Sequence, residues 1–111
     1  MINITVIKSK QNIAIIEATG HSGYAEQGSD IVCSSISTLM TNLANGLTEV
    51  VKAEARVIVD ENVPHLSVTL TEKDMEKCKC AQVLMQSTLL GLKGVADGFS
   101  KFIKIKEKQN D

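Results

Sequence analysis

Two side chains in this sequence have the chemistry for nucleophilic catalysis and a spacing that lets them meet. They are His21 and Cys33, at opposite ends of the stretch Gly20-His21-Ser22-Gly23-Tyr24-Ala25-Glu26-Gln27-Gly28-Ser29-Asp30-Ile31-Val32-Cys33. The stretch holds three of the seven glycines, the only tyrosine, one of two histidines and one of three cysteines. A free thiol titrates near ~8.5 and attacks well only as the thiolate, which a helix N-terminus or a nearby imidazolium favours. Ser29 and Asp30 are both good helix N-caps, so Cys33 falls in the first helical turn, where backbone N–H groups and the helix dipole favour negative charge. A glycine-rich loop leaving a strand and returning to that cap lets His21 reach the thiol. The pair has the parts for acyl transfer: thiolate attack, an imidazole to move protons, and free N–H groups for an oxyanion. Asp30 either orients the imidazole or caps the helix.

Other readings of the same residues carry weight. From composition alone, a histidine and a cysteine bracketing a loop are more often structural than catalytic. Glycine loops also cradle phosphates, but this one has no Gly-x-x-x-x-Gly-Lys pattern and no basic residue. A metal would need two further ligands; Cys78-Lys79-Cys80 offers a pair, but Cys78 falls on an apolar helix face. No Cys-x-x-Cys or resolving thiol accompanies Cys33, which disfavours redox exchange. His65 begins a strand without a chemical companion and reads as incidental.

The elements that position the loop follow from periodicity. Residues 2–8 alternate, placing Ile2, Ile4 and Val6 on one face of a strand, and Ile13 to Ala18 form its return partner. Val32, Ile36, Leu39, Met40, Leu43, Leu47 and Val50 recur at helical spacing to near Lys52. Ala55 to Asp60 and His65 to Leu70 make a second hairpin around Glu61-Asn62-Val63-Pro64, with Leu66, Val68 and Leu70 inward. Thr71 and Asp74 resemble a capping box, opening a helix to about Asp97 with Cys78, Ala81, Met85, Thr88, Leu92 and Ala96 on one face. Gly98 would stop it, and Phe99 to Lys106 would be the last strand. The order ββα-ββα-β predicts an α+β two-layer sandwich, two helices on a five-stranded sheet, with 1–111 as a single domain. The two hairpin-helix units share a layout but no residue-level repeat. Strand order is not readable. Val83 and Leu90 fall on the polar side of the second helix, as scattered surface residues or as part of a self-association patch.

Bulk composition narrows the class. With 43% hydrophobic and 23% charged residues the chain is globular, and with two Phe, one Tyr and no Trp its core must be aliphatic. A net charge of −1 argues against electrostatic binding of nucleic acid. No apolar run approaches the ~20 residues of a membrane span, and the N-terminus lacks a signal-peptide layout. Three cysteines read as reduced thiols in a cytosol.

The spacing Gly20-His21-x-x-Tyr24-Ala25, then Gly28-x-Asp30-Ile31-Val32-Cys33 and small residues opening a long helix, closely resembles the signature of the ribosomal-processing cysteine protease (Prp) family. The resemblance extends through Leu89 to Gly91 and the closing aromatic-lysine strand, although residues 20–37 are its specific part. It implies a cysteine endopeptidase with His21 as general base and acid and Cys33 as nucleophile. Gly20, Gly23, Tyr24, Asp30, Ser34 and Ser37 would then be supporting or substrate-binding positions. It further implies a homodimer in the bacterial cytosol, with no metal or cofactor. The implied substrate is the precursor of large-subunit ribosomal protein twenty-seven, cut after a phenylalanine to remove an N-terminal extension. Ser34-Ser35 stand where alanines are frequent, and Gly98-Phe99-Ser100-Lys101-Phe102 lacks a common proline. A non-catalytic ribosome-associated module that grips a peptide is the alternative. If the chain is a protease, loop 20–29 reads as a lid that orders on substrate, with Tyr24 covering an apolar side chain.

Overall fold

A computed structural model describes residues 1–25, 30–60, 62 and 64–110. Strands β1 (Ile2–Ser9) and β2 (Asn12–Thr19) form the first hairpin, followed by helix α1 (Ile31–Asn45). Strands β3 (Ala55–Asp60) and β4 (His65–Leu70) form the second, followed by helix α2 (Met75–Gly98) and strand β5 (Ile103–Gln109). The expected ββα-ββα-β order and the two-layer α+β arrangement are both present. The five strands run in the order β3-β4-β2-β1-β5. All neighbours are antiparallel except β1 and β5, which run parallel from Ile2↔Ile103 onward.

The apolar face of the sheet meets the apolar stripes of both helices. Ile2, Ile4 and Val6 of β1 are buried together with Val68 of β4, Val32, Ile36, Met40, Leu43 and Leu47 of α1 and its extension, and Ala81, Met85, Leu89 and Leu92 of α2. The helices touch closely because glycine faces leucine at two points. A Cβ on Gly46 would sit 3.0 Å from Leu84, and one on Gly91 would sit 3.2 Å from Leu39. The Leu89 to Gly91 segment therefore owes its glycine to helix packing.

Several boundaries differ from the periodic reading. After Asn45 the helix widens into a π-type turn over Gly46–Val50, and Lys52 takes a left-handed φ of 60°. That change of pitch rotates Val50 out of the stripe, leaving it 77% exposed. The cap of α2 is Asp74, whose carboxylate accepts from Lys77 N–H, rather than Thr71. Thr71 N–H instead donates to Glu54 O, while Glu72 receives the N–H groups of Glu54, Lys73 and Asp74. Gly98 does not stop α2 but completes it, and Phe99–Phe102 form a turn, so β5 starts later than the alternation suggests.

Candidate active site

Gly20 ends β2 in a conformation that requires glycine. Its φ is +92°, and a Cβ there would lie 2.5 Å from the Met1 carbonyl oxygen. Its N–H donates to Pro64 O at 3.0 Å, tying the chain to the second hairpin. This fixed corner sends His21, solvent-exposed, over the end of the sheet.

Asp30 begins α1 from the opposite side. One carboxylate oxygen accepts the N–H groups of Val32 and Cys33, each at 3.0 Å. The other accepts the hydroxyl of Ser22. With both oxygens engaged, and no hydrogen bond to His21 among the described residues, Asp30 caps the helix rather than orienting the imidazole. The Ser22 hydroxyl, followed by the N–H and thiol of Cys33 and the N–H of Val32, holds the Asp30 carboxyl at about 2, below its ordinary 3.8 and against the opposing effect of burial.

Ser22 is the residue that composition did not single out. It is only 3% exposed, immediately follows His21, and bonds in three directions. Its hydroxyl reaches Asp30 and accepts Tyr24 N–H at 3.0 Å, and its own N–H donates to Cys33 Sγ at 3.4 Å. Ser22 thus pins the histidine end of the loop to the cysteine end. A small polar residue between His21 and Gly23 was the only signal in the sequence.

His21, half-buried Cys33, Gly20, Gly23, Asp30, Ser34 and Ser37 all line one cavity of about 950 Å³. Among the described residues no hydrogen bond joins the His21 ring to the Cys33 thiol, and the two line a shared space. Cys33 sits in the first turn of α1, with the Ser22 N–H donating to its sulfur. Tyr24 is placed differently from the expectation. Its ring is not part of the cavity lining but packs edge-on against Phe99 and Phe102, with centroids at 5.6 and 5.3 Å. His65 does line the cavity, and its Nε2 lies 3.0 Å from Glu17 Oε2. Residues 26–29, with Gly28 and Ser29 at the end of the segment proposed as a lid, lie outside the described residues.

A fold of this kind, with a half-buried thiol at a helix N-terminus opening on a cleft shared with a histidine, is found among the cysteine proteases. The model of the cysteine protease Prp family matches residues 1–104, and the chain belongs to that family. The ribosomal processing cysteine proteases Prp of Staphylococcus aureus and Bacillus subtilis are 22% and 23% identical to it, over 96% and 95% of this chain and 97% and 96% of theirs. Among solved structures, SMU.848 of Streptococcus mutans is 31% identical, with a TM-score of 0.86 over 99% of this chain and 96% of that one. The S. aureus Prp in complex with a covalently linked product peptide is 20% identical, with a TM-score of 0.87 over 97% of this chain and all of that one. The same protease in complex with a substrate peptide gives 0.82 at 19% identity over the same shares.

Proposed function

We propose that this chain is a cysteine endopeptidase using His21 and Cys33 as a dyad. Its substrate on this reading is the precursor of large-subunit ribosomal protein twenty-seven, cut after a phenylalanine to remove the N-terminal extension. The observation that carries this is the shared cavity: Cys33 and His21 open onto one space large enough for a peptide.

The chemistry follows from the placement. Substrate binding brings the imidazole within reach of Sγ, and His21 takes the thiol proton. The thiolate attacks the scissile carbonyl to give a tetrahedral oxyanion; the Val32, Cys33 and Ser34 N–H groups at the start of α1 already bond Asp30, so the expected oxyanion donors there are taken. Collapse expels the amine, which leaves with the proton from His21. A water, deprotonated by the same imidazole, then hydrolyses the thioester and frees Cys33.

Membership in a family whose named relatives process ribosomal proteins supports the substrate assignment and a place in the bacterial cytosol. The exposed Val83 and Leu90, seven residues apart on α2, support a homodimer through that helix. The test incubates the purified chain with the precursor and sequences the new N-terminus. Cleavage after Phe by the parent chain and its loss in Cys33→Ala are expected. Intact precursor would leave the non-catalytic peptide-binding reading in its place, and equal cleavage by Cys33→Ala would refute the thiol mechanism.

A further inference from the structure

The two edges of the sheet are finished differently. On β5, Lys104, Lys106 and Lys108 alternate along the strand, and Glu107 pairs with Lys8 at 2.8 Å and Lys93 at 3.2 Å. Such charges protect an edge strand from unwanted pairing. On β3, by contrast, Val57, Ile58 and Val59 are all exposed. Val59 stands opposite Leu66 and Val57 opposite Val68 in the β3–β4 register. Since Val68 is wholly buried beneath the helices, Val57 and Val59 belong to the helix-bearing side of the sheet. The helices cover that side as far as β4 and leave Val59 61% exposed.

This bare strip is continuous with the active-site cleft. Val59 and Leu66 line the same cavity as His21 and Cys33, and Ser34, Ser37 and Thr41 of α1 line it as well. At about 950 Å³ the cavity reaches the upper end of the ~300–1,000 Å³ that holds a whole small ligand, more than one side chain needs. The sheet contributes the apolar Val59 and Leu66 with Asp60 and His65 beside them, and the helix contributes the hydroxyls of Ser34, Ser37 and Thr41 around Ile36. An extended peptide sends successive side chains to opposite sides, so a channel of this kind sorts alternate residues by polarity.

We propose that Val59 and Leu66 form a specificity subsite that receives an apolar side chain of the peptide substrate at a position removed from the scissile bond. The inference rests on the peptidase reading for its occupant, an extended peptide, but not on the chemical step. Burial of the side chain against this wall favours binding through apolar area alone. Because Val59 lies on β3 rather than in the His21–Cys33 network, it alters which peptide is held and leaves the thiol as it is.

The test measures binding of a fluorescent peptide spanning the precursor cleavage site to the Cys33→Ala chain, with and without Val59→Asp. Val59→Thr, close in shape, serves as the mild variant. Val59→Asp is expected to weaken binding by about ten-fold or more and Val59→Thr by less, in the range a pocket contact commands. In an alanine scan of the peptide, one apolar position should stop mattering in Val59→Asp, and lysine at that position should restore affinity. In chains that keep Cys33, the rate of alkylation by iodoacetamide should match the parent with Val59→Asp. Binding within two-fold of the parent for Val59→Asp overturns the proposal, as does an equal loss for every scanned peptide. A changed sedimentation coefficient with unchanged peptide affinity also overturns it, assigning the strip to a second copy of the chain. If the peptide binds in a Val59-dependent way but the chain that keeps Cys33 does not cleave it, the peptidase reading fails and the subsite stands.

Discussion

The N–H of Ser22 donates to the sulfur of Cys33 at 3.4 Å, so the residue next to the histidine holds the thiol. The hydroxyl of the same serine donates to Asp30, which caps the helix that carries the thiol. Ser22→Ala keeps the N–H but leaves one Asp30 oxygen and the Tyr24 N–H without their partner. Removing this buried hydroxyl should cost about 1–3 kcal/mol of stability, read as a lower thermal unfolding midpoint. An unchanged midpoint would show that the hydroxyl does not hold the two ends of the loop together.

His21 should behave in the opposite way. Its ring is solvent-exposed and makes no hydrogen bond to Cys33 among the described residues, so His21→Ala should barely move the thermal unfolding midpoint. Turnover should nevertheless fall by about 10²–10⁴-fold, the usual contribution of a positioned acid–base group. A joint measurement of thermal unfolding and cleavage separates the two residues.

Gly20→Ala meets two obstacles, a left-handed φ and the Met1 carbonyl at 2.5 Å from the new Cβ. Backbone strain of this sort costs about 1–3 kcal/mol. At roughly 4–8 °C per kcal/mol for a domain of this size, thermal unfolding should show a clear loss. Gly23→Ala has the same sign of φ but open space, and should lose less.

Asp30 links stability to acid. Its folded pKa of about 2 lies below the ordinary 3.8, so its stabilising effect is complete above the latter value. That effect is lost as pH falls through the interval between the two. The stability gap between the parent chain and Asp30→Asn should therefore be widest above pH 4 and shrink toward pH 2. Thermal melts of both proteins across that range measure it.

Tyr24, Phe99 and Phe102 are every aromatic residue in the chain, and they form one cluster. Edge-on pairs contribute about 0.5–1.5 kcal/mol each beyond burial. The cluster anchors the backbone three residues beyond His21 to the turn between α2 and β5. Tyr24→Ala and Phe102→Ala should both reduce kcat while leaving KM nearly constant, because the ring lies outside the cavity lining. A selective rise in KM for Tyr24→Ala would instead return that ring to the substrate.

Local periodicity made most of this fold legible. Ile2, Ile4 and Val6 announced β1, and the Val32 to Leu47 stripe announced α1, because one buried face repeats at the period of its element. Asp30 was legible as a cap because a short acidic side chain before a helix has few better uses. What escaped were the relations between distant residues. Gln82 of α2, whose amide bonds both Ile13 N–H at 2.8 Å and Ile13 O at 2.7 Å beside a strand bulge, has no local signature. Ser22 was hidden for the same reason, since its value depends on Asp30 and Cys33 arriving from the other end of the loop. The π-type turn at Gly46 defeated the stripe at Val50 because a change of pitch is invisible to a fixed period.

The parallel pairing of β1 with β5 ties the earliest strand to the latest. Ile2 N–H donates to Phe102 O at 2.9 Å, and the aromatic partners of Tyr24 lie in the turn just before β5. A chain emerging from its N-terminus makes His21 and Cys33 early but must wait for the last strand to brace them. The bracing of this cleft therefore comes from strand pairing made long after the loop itself, and the loop has its final support only once β5 has joined β1.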